Sequence, residues 1–147
     1  MVSKTIRIIM IAFAAGCAGG LANSLVAWLV GYLHITTLLG VSLVPQFTPA
    51  WLYPRIVWGG LWGLLFLIPI LSKILIARGI LLSLPLTFVQ LYIVFPSLEQ
   101  GYLGLSNGFL TPLFVLLFNA VWGIVGVYLF RLGKLKNRPQ TVAKSQP

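Results

Sequence analysis

The groups that could do chemistry in this chain are few. It has one carboxylate side chain, Glu99, one imidazole, His34, and one thiol, Cys17. Catalysis by paired carboxylates needs a second acid. A zinc site needs roughly three or four His, Cys or acidic ligands, and these three residues lie far apart in sequence. A Ser-His-Asp triad lacks its aspartate, and no glycine-rich phosphate loop is present. A single cysteine forms no internal disulfide. These gaps point away from an enzyme and imply no cofactor and no metal. His34 as a single axial ligand would need a cofactor-sized cleft, and an interfacial role is the simpler reading.

What remains is amide, hydroxyl and guanidinium chemistry. Asn23, Gln90 and Asn119 stand inside otherwise apolar runs, with Thr87 close to Gln90. An amide placed in lipid must find a hydrogen-bond partner. These residues therefore either tie helices together or line a polar cavity for a ligand. Arg55 is flanked by Trp51, Tyr53 and Trp58. It can snorkel to headgroups, pair with Glu99, or hold an anionic group of a lipid or partner.

The elements that position these groups follow from hydropathy. Of 147 residues, 59% are hydrophobic and 7% charged, and the mean hydropathy is +1.02. Soluble domains carry about 25% charged residues, so the composition is that of an integral membrane protein. The apolar runs predict an all-α fold, a four-helix transmembrane bundle, with helices at about 6–33, 50–72, 79–96 and 111–131. The third is short and holds Pro85, which predicts a kink or an incomplete span. Residues 1–133 form the transmembrane domain and 134–147 a basic tail. Ala15-Gly16-Cys17 resembles the end of a lipoprotein cleavage box, but the apolar run continues to Leu33, too long for a signal core.

Charge then orients the chain. Of its ten basic residues, nine fall on one side: Lys4 and Arg7 before the first helix, Lys73 and Arg78 in the second loop, and Arg131, Lys134, Lys136, Arg138 and Lys144 at the end. The positive-inside rule makes that side cytoplasmic, with both termini inside. The basic tail would attract anionic lipid. Thr48 is a helix N-cap and Pro49 suits the first helical position, while Pro54 predicts a break. The segment would then be a short interfacial element before the second helix descends. Most Trp and Tyr residues fall in the outer half, an aromatic platform in which Trp51, Tyr53, Arg55, Trp58 and Glu99 form the outer interface.

Small residues mark the packing faces. Ala12, Gly16, Gly20 and Ser24 recur at four-residue spacing on the first helix, Gly59 and Gly63 on the second, and Gly123 lies four residues after Asn119 on the fourth. In lipid, close backbone approach drives helix association. The stripes predict packing within the bundle, an oligomer seam, or both. An internal offset of 64 residues relates Gly40, Ser42, Trp58 and Gly59 to Gly104, Ser106, Trp122 and Gly123. It suggests two parallel helical hairpins.

The stretches Thr48-Pro49-Ala50-Trp51-Leu52-Tyr53-Pro54-Arg55 and Val57-Trp58-Gly59-Gly60-Leu61-Trp62-Gly63, with Leu110-Thr111-Pro112-Leu113-Phe114-Val115 and Phe118-Asn119-Ala120-Val121-Trp122-Gly123, resemble a group of small bacterial four-helix integral membrane proteins. The resemblance covers most of the chain and implies a bacterial source but no activity. The expectation is a non-enzymatic structural, assembly or accessory subunit of a bacterial inner membrane or a thylakoid-type one. It would form homo- or hetero-oligomers with other membrane proteins and bind no nucleic acid. The alternative is a small oligomeric transporter or channel, or a binder of a hydrophobic ligand.

Overall fold

The structure, a computed structural model, describes residues 3–135. Lys136, Arg138 and Lys144 of the basic tail lie outside the described residues. The described residues form helices and loops, with no strand among them.

Helix α1 runs Lys4–Tyr32, and Ser3 caps it by accepting from the amide of Ile6. Helix α2 runs Pro49–Trp62, capped by Thr48 with Pro49 in its first turn, and continues as a 3-10 turn over Gly63–Leu67. Helix α3 spans Leu75–Ser97, and α4 spans Thr111–Leu135. The helices α1, α3 and α4 are long and apolar enough to cross a membrane. At about 1.5 Å per residue each exceeds the ~30 Å hydrocarbon core.

Several expectations need correction here. Pro54 does not break the second helix: it sits inside continuous α2, close enough to the N-terminus that little of the hydrogen-bond ladder precedes it. The segment is the first part of α2 rather than a separate element before it. The second apolar run stops being helical at Leu67 rather than 72. The third, expected to be short, begins at Leu75 and is among the long helices, Pro85 included. It widens into a π segment at Gln90–Val94. Pro96 lies two residues beyond it and has no N–H to give to the Tyr92 carbonyl, so a regular α ladder cannot pass through this turn.

Arg78 is not in a loop. It lies buried in the first turn of α3 and donates to the carbonyls of Phe66 and Ile68 at 2.7 and 2.9 Å. Those carbonyls belong to the end of the 3-10 turn, where helical acceptors would otherwise be unsatisfied. One of the nine cations assigned to the charged side is thus a structural cap.

The contacts fix the topology. Gly16 meets Gly59 and Gly63, and Gly20 meets Arg55, so α1 and α2 are antiparallel. Gly79 meets Gly123 while Thr87 meets Asn119, so α3 and α4 are antiparallel too. Gly19 lies on Trp122 and Asn23 on Asn119, which makes α1 antiparallel to α4. The order across the bundle is α2, α1, α4, α3, and α2 and α3 do not pack on each other. The core lies at the α1–α4 seam, where Phe66 from the 3-10 turn stacks on Trp122 at 5.0 Å and Ala12, Ala15, Val127 and Phe130 close around them. The two long loops meet through the Ser42 amide and the Asn107 carbonyl, 2.7 Å apart.

Candidate functional site

The site begins with the small residues of α1. A Cβ on Gly20 would lie 2.7 Å from the Arg55 carbonyl, and one on Gly59 would lie 2.9 Å from the Gly20 Cα. Only hydrogen fits there, so the α1 and α2 backbones touch. Ala12, Gly16 and Ser24 of the same stripe are buried, and Gly63 meets Gly16 and the Ala12 carbonyl. On the far side of the bundle Gly123 contacts the Gly79 carbonyl.

That close approach brings Arg55 inward rather than out to headgroups. Its Nε donates to Ser24 Oγ at 3.1 Å and its Nη2 to Asn23 Oδ1 at 2.8 Å, while its guanidinium lies 4.7 Å over the Trp51 ring. Arg55 and Glu99 make no ion pair among the described residues. Glu99 is exposed in the loop after α3, with a positive φ of 59°. The outer group therefore divides. Tyr53, Trp58 and Glu99 are exposed, Trp51 is half-buried, and Arg55 belongs to the interior network.

From Arg55 on α2 the hydrogen bonds continue through α1 and α4 to α3. Asn23 Nδ2 donates to Asn119 Oδ1 at 3.0 Å, and Asn119 Nδ2 donates to Thr87 Oγ1 at 3.2 Å and to Gln90 Oε1 at 3.1 Å. Thr87 and Ser24 pass their own hydroxyl protons back to the carbonyls of Ser83 and Gly20. The direction of this chain is set at one end. A guanidinium only donates, so Asn23 must show it the oxygen and turn its NH2 to Asn119. The same constraint passes to Asn119 and then to Gln90. The spacing repeats as well: Arg55–Asn23 and Asn119–Thr87 are each 32 residues apart, and the second pair lies 64 residues after the first.

Because α2 and α3 do not pack together, this network forms the floor of a cleft of about 290 Å³. Gly20 and Asn23 of α1 and Asn119 and Trp122 of α4 line its base. Pro54, Arg55, Trp58 and Trp62 form one wall, and Leu86, Val89, Gln90 and Val94 form the other. Small-molecule sites typically hold about 300–1,000 Å³. Val89 also borders a second, apolar crevice of about 610 Å³ between the 3-10 turn and α3, lined by Leu65, Ile68, Leu81, Leu84, Pro85 and Phe88. The two spaces adjoin along α3, one polar at its floor and the other without a polar side chain.

Gly19, Gly79 and Gly126 were not singled out by sequence reasoning, and Trp122 only as the repeat partner of Trp58. Trp122 Nε1 lies 3.2 Å from each of the Gly16 and Gly59 carbonyls and holds the α1–α2 crossing from α4. The available signal was the doublet Gly19-Gly20, which gives α1 small residues on two faces. Among the described residues no group of three or more His, Cys, Asp or Glu is placed to hold a metal ion.

These features define a class: an all-helical chain, three of whose helices are long and apolar enough to cross a membrane, with a polar-floored cleft between two of its helices. No known protein family, curated protein or solved structure matches the chain. A functional reading therefore rests on this geometry.

Proposed function

We propose that this is a non-enzymatic, multi-pass integral membrane protein that takes a membrane-embedded amphiphile sideways into the cleft between α2 and α3. The observation that carries this reading is the cleft's composition: hydrogen-bonding side chains from four helices line it, and an apolar crevice adjoins it at Val89. The polar groups are two asparagines, a glutamine, an arginine, a serine and a threonine, with no carboxylate or imidazole beside them to act as a base. That inventory suits holding a molecule better than transforming it.

Four spans with both termini inside, in a bacterial inner membrane, complete the proposal. Helix α2 with its 3-10 extension reaches about 31 Å, taking ~1.5 Å per α residue and ~2.0 Å per 3-10 residue, enough to cross the core. The 64-residue register shared by the Arg55–Asn23 and Asn119–Thr87 pairs supports two related hairpins. Cysteines placed at Ser42 and Asn137 in a Cys17→Ala background test the orientation. An impermeant reagent on intact cells should label position 42 and spare position 137, and the reverse pattern would overturn it.

Native mass spectrometry of the protein extracted from its membrane tests the cleft. The wild type should retain an amphiphile, and Val89→Trp, which enlarges the one side chain that lines both crevices, should release it. Wild-type protein that retains none would end this reading. A second reading, an accessory subunit that packs on other membrane proteins, is favoured by the exposed rings of Tyr53, Trp58 and Phe109. Stable heteromeric partners in mild detergent would support it.

A further inference from the structure

We infer that the cleft selects an amphiphile whose polar end is an anion, a phosphate or carboxylate, held by Arg55 and Gln90. This rests on the cleft being a binding site and names the chemistry that fills it. The argument is the direction of the hydrogen-bond chain. Arg55 can only donate, so each amide after it presents oxygen towards Arg55 and nitrogen away. Every side-chain oxygen in the chain, from Asn23 through Asn119 to Gln90, already accepts a bond.

What remains unspent at the two ends is donors. Arg55 uses two of its N–H groups on Ser24 and Asn23, and its others meet no acceptor among the described residues. Gln90 offers its Oε1 to Asn119, and its NH2 makes no bond to another of the described residues. Both residues line the cleft, on opposite walls. A cavity whose lining side-chain groups without any partner among the described residues are donors, one of them a cation without a carboxylate partner, matches an acceptor-only group. The apolar crevice beyond Val89 gives the attached hydrocarbon a place. That continuity commits the proposal to a lipid-like anion rather than a free ion.

The test compares two lipids with the same chains, dioleoyl phosphatidylglycerol and the uncharged dioleoylglycerol, which lacks the phosphate. Each is offered to delipidated full-length protein, with retention read by native mass spectrometry. Phosphatidylglycerol should be retained about tenfold better or more, the scale of a charge-assisted hydrogen bond. Arg55→Gln should bring the ratio close to one while dioleoylglycerol retention stays unchanged. Gln90→Leu should lower the ratio less, and Arg55→Lys should keep most of it.

Arg78→Gln removes the other buried arginine and should leave the ratio as it is. Loss of preference in that variant, with Arg55→Gln unaffected, would overturn the assignment. If Arg55→Gln does not fold, Val89→Trp takes its place: the ratio should fall to one when the cleft is filled, and a preference that persists lies at the basic surface and overturns the inference. Millimolar inorganic phosphate that displaces phosphatidylglycerol completely would make the ligand a soluble anion and defeat the lipid assignment. Equal retention of the two lipids by wild type, both released by Val89→Trp, defeats the anion inference and leaves the cleft standing. Retention of neither defeats the cleft reading itself.

Discussion

Trp58 and Trp122 stand 64 residues apart at the same register of α2 and α4, and their surroundings differ. Trp122 is 1% exposed, stacked on Phe66 and bonded to two backbone carbonyls at the α1–α4 seam. Trp58 is 60% exposed at the mouth of the α2–α3 cleft. The difference lies in how many faces of each helix carry small residues. Helix α1 has two: Gly16 and Gly20 against α2, and Gly19 against Trp122. Helix α4 also has two, Gly123 against Gly79 and Gly126 against Phe66. Helix α2 turns Gly59 and Gly63 to α1, and α3 turns Gly79 and Thr87 to α4. Each of those two helices has used its close-packing face on its own hairpin partner. Towards each other they turn Trp58, Trp62, Leu86 and Val89, and a cleft remains between them. Close helix approach in a membrane depends on such small faces, so one-faced helices end up at the edges.

The sharpest way to break this comparison is to truncate both indoles. Trp122→Ala should lower unfolding stability in detergent by about 3–5 kcal/mol, as for a large buried aromatic. Trp58→Ala should change it by about 0.5 kcal/mol or less, as for an exposed position. Equal losses would mean that the two seams are equivalent and the cleft is closed in the folded protein.

Next come the small faces themselves. Gly20→Leu should cost about 1–3 kcal/mol or more, because the added side chain meets the α2 backbone. Leu21→Phe, on the exposed face, should be near neutral at about 0.5 kcal/mol or less. Thermal unfolding of the two variants side by side checks this. Gly19→Leu extends the test to the second face of α1 and should disturb the Trp122 seam instead.

A smaller effect is expected in the polar floor. A double-mutant cycle of Asn23→Ala and Asn119→Ala should give a coupling of about 0.6 kcal/mol and at most ~1.7, the range for hydrogen bonds between membrane helices. The smallest effect is for the pair suggested by charge alone. Arg55→Ala and Glu99→Ala should be additive, with a coupling of about zero, since Asn23 and Ser24 hold Arg55 inward, away from Glu99. A coupling of ~1 kcal/mol, expected had the loops brought the charges together, would show that Arg55 also samples an outward position.

Composition and patterning by themselves determined a good deal. So little charge with so much hydrocarbon dictates helices that satisfy their own backbone, and the runs locate three of them well. The local caps at Thr48 and Pro49 were legible too, since capping depends only on neighbours along the chain. The four-residue glycine spacing was legible because the helix period places those residues on one face.

What the sequence could not decide was which residues meet across helices. Arg78 reads as a loop cation until the 3-10 turn delivers two carbonyls to it. Arg55 reads as a headgroup anchor until glycine contacts bring α2 against Asn23 and Ser24. Asn23, Asn119 and Gln90 were recognisable as polar groups needing partners, but the order in which they bond, and the donor surplus that follows, required all four helices in place. A hydrogen bond needs its two atoms within about 3 Å, and residues 96 positions apart, as Asn23 and Asn119 are, come that close only through tertiary packing.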